Sequence, residues 1–159
     1  FTPRHITMSL LALANLGIEP STGFSSAVQR QAVSVVKLFK VQEVASFLWS
    51  LAMFGIEPNA ELVRTFSKVV ASTMQALRPQ QISNVVWAFA TLKMNPSLEL
   101  SEAILLQALE TAEKFCAEDA AKFMWSLNTL ELKPSEQLAE AMSKIIGTHV
   151  MVSVPWKIK

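Results

Sequence analysis

The sequence predicts an all-α fold, an α-solenoid of helical-hairpin repeats with a 38-residue period and about four copies. Trp49, Trp87 and Trp125 are spaced 38 and 38 residues apart. Pro20, Pro58, Pro96 and Pro134 keep the same step, and Pro3, Pro79 and Pro155 are spaced by 76, so all seven prolines occupy two registers of one repeat. Apolar residues recur at i, i+3, i+4 and i+7, with no sustained period-2 alternation that would indicate a strand. Self-similarity at a fixed period of this size is the mark of stacked repeats.

In this frame the copies are 1–38, 39–76, 77–114 and 115–152, forming a single array over 1–159 in which residues 153–159 begin a fifth copy or a linker. Neither end carries an atypical, shielding copy, so the frame predicts an excerpt from a longer array. The first helix of each copy is expected at about Arg4–Leu16, Gln42–Phe54, Gln80–Leu92 and Glu118–Leu130. Val44, Phe47, Leu48, Leu51 and Phe54 form its apolar stripe in copy two, and Ile82, Val85, Val86, Phe89 and Leu92 in copy three. Small residues at Thr7, Ala45, Ser83 and Ala121 would let neighbouring helices approach closely.

A turn follows: Gly17-Ile-Glu-Pro20, Gly55-Ile-Glu-Pro58, Lys93-Met-Asn-Pro96 and Glu131-Leu-Lys-Pro134. Glycine ends a helix because it tolerates positive φ, and proline cannot continue one. Ser21, Asn59, Ser97 and Ser135 come next, each an N-cap for the second helix. That helix is expected to bury one column of Phe24, Leu62, Leu100 and Leu138 and another of Val28, Phe66, Ile104 and Met142. A hairpin of this size cannot bury its apolar faces alone, so neighbours must stack.

Composition narrows the function classes. The chain is 51% apolar and 17% charged, with 14 Lys+Arg against 13 Asp+Glu and a net charge of +1. That excludes intrinsic disorder, which needs low hydrophobicity and high net charge. The longest apolar run, Val85–Ala90, is far too short for a membrane span. The single Cys116 permits no intrachain disulfide and fits a reducing compartment. His5 and His149 lie too far apart in a stacked array for joint chemistry, and the four glycines form no phosphate loop. The expectation is therefore no enzyme, no metal, no cofactor and no small-molecule substrate. Cys116 falls in an inter-repeat turn, expected to be a plain surface or half-buried thiol, and Glu118-Asp119 opens a helix whose macrodipole it complements.

The stretch Leu77-Arg-Pro-Gln-Gln-Ile-Ser-Asn-Val-Val-Trp-Ala-Phe-Ala-Thr-Leu92 resembles the octotricopeptide repeat, whose pattern is Pro-Gln-x-φ-x-Asn-x-φ-Trp-Ala-φ-Ala-x-Leu, φ being apolar. The resemblance spans all four copies and weakens outward from copy three. Copy one has Leu11 in place of the tryptophan, and copy four has Lys122 at the position of Asn84 and Asn128 at that of the alanine. Related repeats occur in FAST-kinase-like proteins and in proteins ending in a RAP domain. The resemblance implies an organellar protein, of the mitochondrion first or of the chloroplast, that binds a transcript or ribosomal RNA and acts in RNA stability, processing or translation. Some relatives are structural subunits of organellar ribosomes. The alternative implied is therefore a scaffold or peripheral ribosomal subunit that contacts mainly proteins, ribosomal proteins among them.

Single-stranded RNA is read through base edges by short polar side chains. The polar column of the first helix supplies them: Arg4, Met8, Ala12 and Asn15; Gln42, Ser46, Ser50 and Met53; Gln80, Asn84, Ala88 and Thr91; Glu118, Lys122, Ser126 and Thr129. The RNA-binding candidates are Arg4, Lys40, Gln42, Ser46, Arg78, Gln80, Asn84 and Lys122. Trp49, Trp87 and Trp125 are expected to pack between helices rather than stack on bases, since Leu11 can replace one as a filler but not as an aromatic platform. Charge falls along the array: the copies carry +2, 0, −1 and −2, and the tail adds +2. Phosphate contact is thus expected towards copy one, near Arg4, Arg30 and Lys37, and a protein partner towards the acidic copies.

Overall fold

The computed structural model describes residues 2–148, apart from the side chain of Val41. His149, Pro155 and the start of a fifth copy at 153–159 lie outside the described residues. Within them the fold is all-α, with eight α-helices: α1 Pro3–Leu16, α2 Thr22–Ser34, α3 Val41–Phe54, α4 Ala60–Thr73, α5 Pro79–Thr91, α6 Leu98–Glu110, α7 Ala117–Thr129 and α8 Glu136–Gly147. Single 3-10 turns at Val36–Leu38, Met74–Ala76 and Ala112–Lys114 join one helical pair to the next. Sequence pattern alone did not separate these turns from the helices before them.

Each turn and cap has a local cause. Ser21, Asn59, Ser97 and Ser135 accept from the backbone N–H of Phe24, Leu62, Leu100 and Leu138 at 3.2, 2.8, 3.2 and 3.2 Å, as their short oxygen-bearing side chains require. The helices α1, α3, α5 and α7 all end in the same reverse turn, in which the residue at C′ bonds back to the helix and the next residue reaches one turn further. Gly17 N–H reaches Ala14 O and Ile18 N–H reaches Leu13 O, and Lys93 N–H and Met94 N–H reach Ala90 O and Phe89 O in the same way. The turn needs a left-handed residue. Gly17 (φ 64°) and Gly55 (φ 61°) adopt it freely, whereas Lys93 (φ 54°) and Glu131 (φ 57°) adopt it against their Cβ atoms.

Helices pack in two layers. In one, α1 lies on α3, α3 on α5 and α5 on α7; in the other, α2 lies on α4, α4 on α6 and α6 on α8. The odd-numbered helices approach one another more closely than the even-numbered ones. Thr7, Ala45 and Ser83 are buried at those odd contacts, where their size permits the approach. Ser83 Oγ donates directly to the Asp119 carbonyl of the next odd helix, at 2.9 Å.

One continuous core runs between the layers. Phe39, Phe47 and Phe66 form its aromatic knot, with Phe47 stacked on Phe66 at 5.3 Å and Phe39 edge-on to both. Val28, Phe66, Ile104 and Met142 are all buried. In the other expected column Leu62, Leu100 and Leu138 are buried, but Phe24 is 37% exposed. No helix precedes α2 in its layer, so the surface that covers Leu62, Leu100 and Leu138 has no counterpart over Phe24.

Two buried glutamines brace adjacent pairs. Gln29 of α2 donates to Glu57 O and accepts from Asn59 N–H. Gln107 of α6 donates to Gln75 O and Leu77 O, both at 3.3 Å. Each satisfies backbone groups of a connecting turn, which secondary structure leaves without partners.

Candidate functional site

The odd helices carry the polar column, and its third position differs from expectation. Ser50, Ala88 and Ser126 are fully buried rather than on the polar face. Ser50 Oγ and Ser126 Oγ donate back to Ser46 O and Lys122 O of their own helices, each at 2.8 Å, which satisfies the hydroxyl without a ligand. The first two positions and the fourth do reach the surface: Gln42, Gln80, Met53, Thr91 and Thr129 are exposed, and Ser46, Asn84 and Lys122 are half-buried.

Four of the eight candidates meet. Arg4, Lys40, Gln42 and Ser46 line a groove of about 310 Å³ between α1 and α3, together with Met8 and Leu11. Arg4 stands in the first turn of α1 and Lys40 at the N-cap of α3, where Lys40 N–H is held by the Glu43 carboxylate at 2.9 Å. The groove thus combines two cations, an amide and a hydroxyl on a partly apolar floor. Thr7 borders it as well, and its buried Oγ1 has no hydrogen-bond partner among the described residues. Ser83, at the same register two pairs later, spends its hydroxyl on Asp119 O.

Asn84 and Lys122 are also brought together, because they hold equivalent positions on neighbouring odd helices. Lys122 Nζ donates to Asn84 Oδ1 at 3.0 Å. Arg78 and Gln80 stand exposed at the start of α5, where Arg78 N–H is capped by Gln81 Oε1 at 3.0 Å. Trp49, Trp87 and Trp125 are half-buried, and Trp87 packs against the core. Of the turn prolines, Pro58 is buried while Pro20, Pro96 and Pro134 are half-buried, each just ahead of its N-cap.

A larger groove of about 560 Å³ lies on the other layer, between α4 and the turn after α5. Arg64, Lys68 and Lys93 face Glu57 and Glu99 across it. The near balance of sign makes it a poor track for phosphates and a plausible seat for a polypeptide. Sequence reasoning had not singled it out, because Lys93 reaches it only through the turn geometry.

Cys116 is exposed and serves as the N-cap of α7. Its Sγ accepts from Asp119 N–H at 3.4 Å and donates to Asp119 Oδ2 at 3.2 Å. Partial burial pushes the thiol above its ordinary pKa, and the adjacent Asp119 carboxylate, by hydrogen bond and by charge, pushes the same way. Such a thiol stays protonated and is a poor nucleophile. Among the described residues no group of three or more His, Cys, Asp or Glu is arranged to hold a metal ion, and no helix is long and apolar enough to cross a membrane.

Comparison with known proteins adds one match. Residues 25–151 match the family model described as "Tbc2 translation factor, N-terminal domain". No curated protein matches the chain.

Proposed function

The chain belongs to the Tbc2 translation factor N-terminal domain family, and from that premise we propose that it is a non-catalytic, helical-repeat RNA-binding module acting in organellar translation. It is an α-solenoid of octotricopeptide type with a 38-residue period. Odd-on-odd and even-on-even packing supports this, as do odd helices that begin at residues 3, 41, 79 and 117. Because the odd helices sit closer together than the even ones, such a stack curves towards the odd layer, and the polar column lines its concave side. The organelle, mitochondrion or chloroplast, rests on the octotricopeptide resemblance.

The observation that carries the RNA reading is the α1–α3 groove. It gathers Arg4, Lys40, Gln42 and Ser46, four residues chosen for their chemistry, in one place. Cations bind the phosphates while the amide and hydroxyl meet base edges. Filter binding of the chain to unstructured RNA at low salt tests it. The expected result is binding that weakens with salt, with a salt slope smaller by roughly one in Arg4→Ala and again in Lys40→Ala. Absence of binding at low salt overturns the reading.

A second reading is favoured by the charge gradient. The last pair, α7 and α8, carries Glu118, Asp119, Glu131, Glu136 and Glu140 against Lys122, Lys133 and Lys144. That end suits a protein surface better than a phosphate backbone, as in a scaffold or peripheral subunit of an organellar ribosome. Sedimentation of an organellar extract separates the two: comigration with ribosomes in the absence of free RNA affinity supports the scaffold.

A further inference from the structure

The contact between Asn84 and Lys122 restricts what Asn84 can read. A lysine ammonium offers donors only, so the carboxamide must turn its oxygen towards it, as the 3.0 Å bond from Nζ to Oδ1 requires. The group is planar, so Nδ2 then points away from Lys122, and it donates to none of the described residues. Both side chains are half-buried, which keeps the charge-assisted bond from exchanging freely with water. Met8 and Ser46, the equivalents on α1 and α3, offer no such pair, so the arrangement is confined to the α5–α7 boundary.

We propose that Lys122 locks Asn84 as a donor-only reader of a base edge, so that this boundary selects acceptor-bearing bases, uracil above all, and disfavours adenine. The inference rests on the RNA-binding reading above. An unconstrained asparagine pairs with adenine through both amide atoms, the oxygen accepting from N6–H and the nitrogen donating to N7. With Oδ1 already engaged, the adenine contact falls to a single bond. Uracil presents carbonyl oxygens, which take the Nδ2–H donors and ask for no acceptor in return. Lys122 acts through Asn84 here and is a positioning residue.

The test compares affinities of the 159-residue chain for oligouridine and oligoadenosine of equal length at one low salt concentration. The unaltered chain is expected to prefer oligouridine. Lys122→Met should weaken both complexes equally through the lost charge, while freeing Oδ1 and shrinking the uridine-to-adenosine ratio by roughly three- to tenfold, the worth of one hydrogen bond. Asn84→Ala should abolish the preference and make a second change at Lys122 silent for the ratio. An unchanged ratio in Lys122→Met, or a native preference for oligoadenosine, overturns the inference while leaving RNA binding intact. Failure of the unaltered chain to bind either oligomer overturns the RNA reading and this inference with it. Thermal melts of each variant separate misfolding from altered recognition, and methionine is a good helix former at this position.

Discussion

The first two helical pairs and the last two share a backbone and differ in how they hold it. Left-handed turns after α1 and α3 use Gly17 and Gly55; those after α5 and α7 force Lys93 and Glu131 into the same conformation. Between α1 and α3 the Thr7 hydroxyl is left without a partner beside an open, basic groove. Between α5 and α7 the equivalent Ser83 is bonded across to Asp119 O, and Lys122 reaches back to Asn84. Polar groups that stay uncommitted in the first half are spent on cohesion in the second. The difference separates two tasks on one scaffold, with ligand capacity at the basic end and helix-to-helix cohesion at the acidic end.

The sharpest way to break that comparison is to truncate one column at both ends. Leu100 is 0% exposed and Phe24 is 37% exposed, although both stand at the same point of their hairpins. Leu100→Ala should cost about 2–5 kcal/mol, because it opens a cavity in a packed core. Phe24→Ala should cost about 1 kcal/mol or less, since much of the ring is already in water. Urea unfolding of the two variants measures both, and comparable losses would mean that the α2 end is as well covered as the middle.

Next in size is the brace between pairs. Gln107→Ala leaves the carbonyls of Gln75 and Leu77 without their donor, at a cost of about 1–3 kcal/mol. Gln107→Glu is a finer test, because a carboxylate accepts where the carbonyls also accept, so it should be no better than alanine. If Gln107→Glu melts like the unaltered protein, the brace contributes nothing to stability.

The turns offer a smaller effect of opposite sign in the two halves. A Cβ built on Gly17 or Gly55 meets nothing within 4 Å, so any penalty at these sites comes from φ alone. Gly17→Ala and Gly55→Ala should each destabilise by about 1 kcal/mol, whereas Lys93→Gly and Glu131→Gly should stabilise by about 0.5–1 kcal/mol. Lys93→Gly also removes a cation from the groove beside α4, so a binding change there would be separate from the gain in melting temperature.

How much of this was legible depends on how local the cause is. The N-caps and the glycine turns follow from residues within one turn of each other, and the structure has them where their side-chain chemistry requires. The paired layers follow from apolar spacing and from small residues such as Ser83. What escaped was set by neighbours distant in sequence. Ser50 and Ser126 look like surface residues on a helical wheel, but the close approach of odd helices buries them. Phe24 looks like core, but nothing stacks on it. The brace from Gln107 to Leu77 and the pair of Asn84 with Lys122 span 30 and 38 residues, and no local pattern marks them.

Cys116 gives the subtlest contrast, between two helix starts built on one plan. At α1 the N-cap Thr2 and the N3 residue His5 cap each other through side chains and backbone amides; at α7 the same positions are Cys116 and Asp119. A helix N-terminus ordinarily lowers a thiol pKa, because its amides favour the thiolate. Here desolvation and the Asp119 carboxylate outweigh that, so Cys116 titrates above its usual range. Alkylation by iodoacetamide, which needs the thiolate, should therefore be slow at neutral pH and rise only at higher pH than for a free cysteine. Asp119→Asn removes the negative charge and the carboxylate acceptor but leaves the partial burial. Its rate profile should move to lower pH without falling below that of a free cysteine, giving a few-fold faster reaction near neutrality. If the profile does not move, Asp119 is only a cap for the helix and burial alone sets the thiol; if it moves above the original, the carboxylate was stabilising the thiolate and the sign argued here is reversed.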